Sequence, residues 1–260
     1  QSEDQDVTTS AQETPELSVV IACYMEESHL VDSVSQLVET LDALGRSYEL
    51  IFIDDKSRDG TAALVETLVA GHPNRRAVFH DQNVGRGGTV KEGFLLARGE
   101  VVGFLDIDLE VHCRHLPKVL AAIDAGADGA TAYRSYAPGW RPTLLLRKVV
   151  SHSYRWLFHA LFDVPFRDTE TGFKFFVRER IMDVVQRTED PGWFWDSEVM
   201  ILAHSAGLRI AEVDTTFERR TDKASTVRLI RDSFAYLRSI HAFRRRQRSA
   251  RGRTSPAQPS

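Results

Sequence analysis

The sequence has few of the features that define disulfide-bonded and zinc-binding proteins. It contains two cysteines among 260 residues, Cys23 and Cys113. Neither lies in a CxxC pair or in a spacing with histidine that is typical of zinc ligands. We therefore expect no disulfide framework and no zinc site, and the cysteine usage fits a reduced, cytoplasmic setting.

Long apolar runs and a positive net charge are missing as well. No uncharged apolar stretch approaches the roughly 20 residues that a membrane-spanning helix needs, and no secretory apolar region opens the chain. The formal net charge is -4, so no global basic field attracts nucleic acid. We expect no nucleic-acid partner, and any action at a membrane would be peripheral, at its surface.

Two common nucleotide-binding signatures are also absent. The chain has no G-x-x-x-x-G-K-[ST] loop, and no G-x-G-x-x-G follows its first apolar run. These absences argue against P-loop NTPases and dinucleotide oxidoreductases. A glycine-rich segment at Asn83–Gly88 is present, and its backbone N–H groups could bind phosphate at the start of a helix.

The composition is that of one large domain with two unusual ends. With 42% hydrophobic residues, the chain can bury a substantial core, which we predict to cover residues 17–243. Residues 1–16 are acidic and predicted to be disordered. Residues 244–260 carry six arginines and no acid, and we predict a disordered basic tail. Such a tail is either simply solvated or attracted to anionic lipid. In the second case, each basic residue near the surface contributes a binding free energy of about 1 kcal/mol.

Strand and helix patterns alternate through the first half of the chain, which predicts an α/β protein with parallel strand pairing. The predicted strands lie at 17–22, 48–53, 77–80, 101–107, 129–133, 173–177 and 209–217. The predicted helices lie at 28–44, 59–70, 89–97, 116–125, 197–206 and 228–246. Ligands of such sheets bind beyond the carboxyl ends of the strands.

Carboxylates follow two of these strands. Asp54 and Asp55 end one, and Asp106, Asp108 and Glu110 stand at alternate positions at the end of another. Alternate residues of an extended chain point the same way, so the last three carboxylates should share one side. Hard oxygen ligands suit Mg²⁺ or Mn²⁺ shared with a diphosphate. The pattern therefore indicates an enzyme that uses a nucleotide-activated substrate.

Neighbouring polar residues have more ordinary interpretations. Either Asp54 or Asp55 could accept hydrogen bonds from a base or a ribose, whereas Asp59 is expected to cap a helix. His112 and His115 lie near the second carboxylate group, and we expect them to be satisfied within the fold and not to bind metal.

The stretch from Pro142 to Phe162 interleaves apolar residues with cations. From its pattern alone, it is either a helix packed on the core or an interfacial helix at a bilayer surface.

Several motifs occur together in a fixed order. They are VVIACYMEE at 19–27, IDDKSRDGT at 53–61, NVGRGG at 83–88, DIDLE at 106–110, DTETGFK at 168–174, and Glu212-Val213 ahead of Phe217. On these motifs the sequence resembles family 2 glycosyltransferases, and within them the polyprenyl-phosphate (dolichol-phosphate) mannose or glucose synthases. The resemblance covers roughly residues 17–231. It implies a GT-A type, Rossmann-like, mostly parallel sheet with flanking helices and an amphipathic helical segment on the acceptor side.

The resemblance also implies a role for individual residues. The nucleotide would be bound by Ala22, Tyr24, Glu26, Asp54, Asp55, Arg86, Gly87 and Asp106. Mg²⁺ or Mn²⁺ would be bound by Asp106, Asp108 and Glu110. The acceptor phosphate would be bound by Arg134, Arg147, Arg219, Arg220 and Ser225, with Asp108, Arg134 and Arg147 as the catalytic residues.

The reaction implied is metal-dependent, inverting transfer of a hexose from a GDP- or UDP-linked donor to a polyprenyl phosphate. It would take place at the cytoplasmic face of a membrane, with the prenyl chain against Pro142–Phe162. A phosphate acceptor is already anionic near pH 7 and needs no general base. Two alternatives stay open: transfer to a hydroxyl with Asp196 or Glu198 as base, and a catalytically inactive, membrane-docked adaptor.

Overall fold

The computed structural model describes residues 14–136, 161–218 and 229–253. Its centre is a sheet with strand order β3-β2-β1-β4-β6-β5-β7. The strands are β1 (Leu17–Cys23), β2 (Tyr48–Asp54), β3 (Arg75–Phe79), β4 (Val101–Leu105), β5 (Gly129–Tyr136), β6 (Phe173–Val177) and β7 (Ile210–Phe217). All neighbouring strands are parallel except β6, which is antiparallel to β4 and to β5. The predicted mostly parallel α/β class is confirmed.

Helices cover both faces of the sheet. They are α1 (Leu30–Leu44), α2 (Thr61–Val69), α3 (Arg86–Leu96), α4 (Leu116–Asp124), α5 (Arg178–Arg187), α6 (Trp195–Ser205) and α7 (Leu229–Arg253), with a short 3₁₀ turn at Cys113–His115. The buried residues form two clusters, one on each face of the sheet. In β1, for example, Val20 belongs to one cluster and Val19 to the other. Strands buried on both faces explain the continuous apolar runs of the sequence.

Several elements differ from the predictions. Strand β4 ends at Leu105 and does not reach Ile107. Helix α5 was not predicted, although its sequence is that of an amphipathic helix with Ile181, Val184 and Val185 on the buried side. Helix α7 continues to Arg253, so the predicted disordered tail is helical over its first part. Arginine and glutamine favour helix, and Arg246 is anchored to the domain by an ion pair with Glu198 (2.6 Å).

Some predictions concern residues that the structure does not describe. They are the disordered segment at 1–13, the stretch at 142–160, the acceptor residues Arg147, Arg219, Arg220 and Ser225, and the tail at 254–260. At the amino end of the domain, Pro15 and Glu16 already accept backbone hydrogen bonds from Glu100 and Val101. Among the described helices, none has the length and apolarity needed to span a bilayer.

The parallel pairing brings the carboxyl ends of three strands to one edge. In register, Cys23 of β1 lies beside Asp54 of β2, and β4 pairs with the other side of β1. The segments after β1, β2 and β4 therefore meet at this edge. They contain the motifs that the sequence analysis singled out.

Candidate functional site

Backbone strain is concentrated at this edge of the sheet. Met25, Lys56 and Leu109 have φ values of 60°, 62° and 54°, in the left-handed region that side-chain-bearing residues seldom adopt. Each follows the end of one of the strands β1, β2 and β4 within a few residues. Such conformations cost of the order of 1–3 kcal/mol each and occur preferentially at functional sites. The strain marks this edge as the candidate active site.

The two acids after β2 have different surroundings. Asp55 accepts hydrogen bonds from the N–H groups of Val84 (2.7 Å) and Gly85 (2.9 Å) and contacts His80 Nδ1 (2.9 Å). Asp54 accepts one hydrogen bond, from the Ser57 N–H (3.1 Å). Its Oδ1 is buried and has no hydrogen-bond partner among the described residues. Asp55 therefore holds the glycine-rich segment, and Asp54 retains an acceptor atom.

The glycine-rich segment does not present the predicted set of backbone N–H groups. Those of Val84 and Gly85 bond to Asp55, and that of Gly88 donates to the Pro191 carbonyl (3.2 Å). Gly85 has φ 89°, and a Cβ there would collide with the Pro191 carbonyl oxygen. The glycines thus allow close packing. The prediction that the backbone N–H groups of this segment bind phosphate is corrected for Val84, Gly85 and Gly88. The charged group that the segment brings to the edge is the side chain of Arg86.

The other predicted nucleotide-binding residues lie at the same edge. Tyr24 follows β1 with 39% of its surface exposed, and the partly buried Ala22 packs on the core. The Glu26 N–H donates to Thr61 Oγ1 (2.8 Å), and its carboxylate contacts His29 Nε2 (2.7 Å). These contacts hold the segment after β1 against the start of α2.

The three carboxylates after β4 do not form the predicted cage. Beyond Leu105 the chain turns, and the Leu109 N–H donates to the Asp106 carbonyl (3.1 Å). Alternate side chains point the same way only in an extended chain, so this turn breaks the expected alignment. The Glu110 N–H donates to Asp108 Oδ1 (3.2 Å). Among described residues, no group of three or more His, Cys, Asp or Glu side chains is placed to hold a metal ion.

Arg86 connects Asp106 to the interior of the protein. Its Nε and Nη2 donate to Asp106 Oδ1 (3.1 and 2.6 Å), and its Nη1 donates to Asp196 Oδ2 (2.6 Å). The guanidinium carbon lies 5.3 Å from the centre of the Phe104 ring and 5.2 Å from that of Trp193. Burial disfavours the charge, but the two carboxylates outweigh burial and raise the pKa of Arg86. Its cation is therefore permanent.

Lys174 is a second buried cation of this network. Its Nζ donates to the Thr171 carbonyl and lies 3.8 Å from Asp196 Oδ1. Burial lowers the pKa of Lys174, against the opposing attraction of Asp196 and Asp168. Burial likewise raises the pKa of Asp196, against the attraction of Arg86 and Lys174. Asp196 is thus the shared anion of two cations and is only 2% exposed.

Arg134, a predicted acceptor residue, is oriented by an acid that sequence reasoning did not assign. Its Nε and Nη2 donate to Asp168 Oδ2 (2.6 Å) and Oδ1 (2.9 Å), a two-bond geometry that fixes the guanidinium plane. Burial acts to raise the pKa of Asp168, but the charge and hydrogen bonds of Arg134 outweigh it and lower this pKa. Asp168 and Lys174 both belong to the DTETGFK motif, and this motif was the feature of the sequence from which their place in the site could have been predicted.

Both candidate general bases are already engaged. Asp196 is bound by Arg86, as described above. Glu198 is 1% exposed, accepts hydrogen bonds from the N–H groups of Glu189 (3.0 Å) and Asp190 (2.8 Å), and pairs with Arg246 (2.6 Å). Neither carboxylate reaches an open surface where it could take a proton from a hydroxyl.

The remaining polar candidates have structural roles. Asp59 Oδ1 accepts hydrogen bonds from the N–H (3.1 Å) and the hydroxyl (2.6 Å) of Thr61 at the start of α2, the expected capping role. His112 Nδ1 accepts a hydrogen bond from the Arg114 N–H (3.0 Å), and His115 Nε2 contacts Thr216 Oγ1 (3.1 Å).

Comparison with known proteins identifies relatives over most of the chain. The family described as glycosyl transferase family 2 matches residues 18–171. Glycosyltransferase AglD of Haloferax volcanii is 32% identical over 225 residues, which are 84% of this chain and 35% of that protein. A dolichyl-phosphate beta-glucosyltransferase of Dictyostelium discoideum is 28% identical over 211 residues, 76% of this chain and 64% of that protein. The chain therefore spans less than two thirds of the length of these relatives.

A solved structure has the same fold. Glucosyl-3-phosphoglycerate synthase from Mycobacterium tuberculosis, in complex with Mn²⁺, uridine diphosphate and phosphoglyceric acid, superposes with a TM-score of 0.65. The match covers 88% of this chain and 76% of that chain at 20% sequence identity. At this identity the likeness concerns the fold, and it agrees with the GT-A type sheet expected from the sequence.

Proposed function

The chain belongs to glycosyl transferase family 2, and we propose that it transfers a hexose from a nucleotide-linked donor to a polyprenyl phosphate at a membrane surface. The observation that carries the choice of acceptor is the state of Asp196 and Glu198. A hydroxyl acceptor must lose a proton, and both candidate bases are buried in ion pairs. A phosphate monoester is already an anion near pH 7, so it requires orientation and no base.

The names of relatives support the same acceptor class. One relative is a dolichyl-phosphate beta-glucosyltransferase, and another, from Shewanella sediminis, is an undecaprenyl-phosphate 4-deoxy-4-formamido-L-arabinose transferase, 32% identical over 143 residues. Both names specify a polyprenyl phosphate. The sugar differs between these two relatives, and we propose a GDP- or UDP-linked hexose donor without choosing between the two nucleotides.

On the donor side, the nucleotide would lie over the carboxyl ends of β1 and β2. Tyr24 offers an exposed aromatic ring, and Asp54 retains a carboxylate oxygen for a base or ribose donor. A buried carboxylate oxygen without a partner is costly, and a ligand N–H or hydroxyl would remove that cost. Asp55 and Gly87 contribute by shaping the glycine-rich segment, and Glu26 by holding the segment after β1.

A divalent cation fits the chemistry of the turn after β4. Mg²⁺ is usually bound by one or two carboxylates together with substrate phosphates and water, so a three-carboxylate cage is not required. Asp106 and Asp108 would hold Mg²⁺ or Mn²⁺, and Glu110 would contribute through its backbone contact to Asp108. The cation would neutralise charge on the leaving diphosphate. Arg86 adds a permanent positive charge beside Asp106.

On the acceptor side, Arg134 would bind the phosphate of the lipid. The two bonds to Asp168 fix the plane of this guanidinium at the acceptor side of the sheet edge. Arg147, Arg219, Arg220 and Ser225 are proposed to complete this site. A nucleophile held by cations opposite the donor favours in-line displacement with inversion.

The membrane would be reached through the basic end of the chain and the stretch at Pro142–Phe162. Helix α7 carries exposed Arg238, Arg245 and Arg248, and basic residues near an anionic surface gain about 1 kcal/mol each. We propose peripheral attachment at the cytoplasmic face.

The proposal is tested by a transfer assay with paired acceptors. The chain is incubated with Mn²⁺ and labelled UDP-glucose or GDP-mannose, and with either dolichyl phosphate or dolichol in detergent. Product from dolichyl phosphate alone is expected. Product from dolichol would instead support the hydroxyl-acceptor alternative. No product from either acceptor, together with no binding of either sugar nucleotide, would support the inactive adaptor.

A further inference from the structure

Arg86 occupies an unusual position between two carboxylates of very different exposure. The side chain of Asp106 is 43% exposed and that of Asp196 is 2% exposed, with Arg86 bonded to both. Two of its nitrogens converge on a single oxygen, Asp106 Oδ1. That oxygen is therefore already neutralised by a cation of the protein itself.

The buried end of this arrangement is well fixed. Asp196 is held by Arg86 and lies near Lys174, and the Arg86 guanidinium packs against the rings of Phe104 and Trp193. The other end is open to solvent, because Asp106 lies in a turn at the edge of the sheet, where its carboxylate packs on Gly172. The backbone of Asp106 is tied to Gly172, whose carbonyl accepts its N–H (2.8 Å). A change in partner at the carboxylate of Asp106 therefore needs only side-chain movement.

We propose that Arg86 is a resident counter-ion of Asp106 that competes with the divalent cation until a nucleotide diphosphate binds. A carboxylate oxygen that accepts two hydrogen bonds from a guanidinium is a poorer metal ligand. A diphosphate offers the same guanidinium other anionic oxygens and offers the cation further ligands. Cation and nucleotide then bind with positive coupling, and each raises the affinity for the other by the same factor. The inference rests on the proposed role of Asp106 as a cation ligand.

The test measures Mn²⁺ affinity directly, by electron paramagnetic resonance of free Mn²⁺, with and without UDP or GDP. The wild-type protein is expected to bind Mn²⁺ weakly alone and more tightly with the nucleotide, by a coupling factor of roughly 5- to 150-fold. In Arg86→Gln, Mn²⁺ alone is expected to bind more tightly than in the wild type, and the coupling factor is expected to decrease.

Three companion measurements separate this effect from trivial causes. Arg180→Gln removes an exposed arginine beside Asp128 at the opposite edge of the sheet and should leave Mn²⁺ affinity unchanged. Repeating the titration in 1 M NaCl, where the Debye length is about 3 Å, should preserve the gain if Arg86 acts by contact. The double variant Arg86→Gln/Asp196→Asn removes both charges of the buried pair. It replaces Arg86→Gln in the Mn²⁺ titration if the single variant fails to fold.

The outcomes are distinguishable. Equal Mn²⁺ affinity of the wild type and both Arg86 variants, with tight binding in the presence of nucleotide, would overturn the competition and leave the proposed function intact. A gain that disappears in 1 M NaCl would also overturn it, in favour of a long-range field. Absence of Mn²⁺ binding to the wild type with either nucleotide would overturn the proposed metal role and this inference together.

Discussion

The acids after β2 and the acids of the second half of the sheet are stabilised in different ways. In the first half, β3-β2-β1-β4, the acids after β2 are satisfied chiefly by neutral donors, such as the backbone N–H groups of Ser57 and Val84. In the second half, β6-β5-β7 with helices α6 and α7, the acids are satisfied by cations. These pairs are Asp168 with Arg134, Asp196 with Arg86 and Lys174, and Glu198 with Arg246.

The difference matches the two kinds of ligand that the proposed reaction needs. Carboxylates held by N–H groups suit the N–H and hydroxyl groups of a nucleoside. A cation oriented by a carboxylate, such as Arg134 beside Asp168, suits a phosphate. Asp106 lies where the two halves meet, because β4 pairs with both β1 and β6. Arg86, the partner of Asp106, comes from the first half of the sheet. The second carboxylate that Arg86 binds, Asp196, comes from the second half.

The largest expected effect tests this contrast by stability. Asp196→Asn removes the anion beside the buried Lys174 and leaves Arg86 with Asp106 alone, and loss of one partner of a buried pair costs about 3–5 kcal/mol. Asp55→Asn keeps one acceptor oxygen and should cost less, about 1–3 kcal/mol. Urea unfolding of both variants provides the comparison. Equal losses would mean that the two halves do not differ in the way described.

Asp108→Asn should have the next largest effect, on turnover. Removing one charge from the proposed cation site should lower kcat on the order of 10²–10³-fold, as loss of a single electrostatic stabiliser does elsewhere. Asp124→Asn is the matched control, because this acid pairs with Arg46 on the surface. Single-turnover assays at saturating Mn²⁺ measure the change. Wild-type kcat in the variant would exclude a metal role for this residue.

A smaller effect is expected for Arg134→Lys, which keeps the charge but loses the planar fork. Loss of a charge-assisted hydrogen bond, about 1.5–3 kcal/mol, should raise KM for the lipid phosphate tenfold or more. KM for the nucleotide sugar should stay within experimental error. Arg46→Lys provides the control for a generic arginine change. An increase confined to the KM for the nucleotide sugar would mean that Arg134 acts on the donor and not on the acceptor.

The smallest effect concerns His80, which contacts Asp55 (2.9 Å) and Glu92 (2.8 Å). Burial opposes its charge, but hydrogen bonds to the two acids outweigh burial and raise the pKa of His80. Its contribution to stability is therefore complete below the unfolded pKa of about 6.5 and is lost as pH rises through the higher folded pKa.

We expect the Tm difference between wild type and His80→Asn to be larger at pH 5.5 than at pH 8.5. His72→Asn, a change at an exposed histidine, should show no such trend. A Tm difference that grows with pH would contradict the proposed charge of His80. It would leave Asp55 with neutral donors alone.

Much of the fold was predictable from local patterns. Continuous apolar runs predicted most strands, because strands covered on both faces have no polar side. For β6, both predicted ends agree with the structure. The 3–4 residue spacing of Leu30, Val34, Leu37 and Leu41 predicted α1, and Gly45 ends it with φ 65°. Helix α5 was missed, although its buried residues Ile181, Val184 and Val185 recur at helical spacing.

The sequence by itself determined the fold class, the order of the elements and the motifs at the strand ends, since these depend on hydrophobic periodicity and turn-forming residues. Only the tertiary structure decided how the charged groups are paired. Asp55 contacts His80, Asp168 pairs with Arg134 and Asp196 with Arg86, across separations of 25 to 110 residues in the chain. Such pairs follow from the folding of distant segments onto one sheet edge, and local spacing carries no information about them.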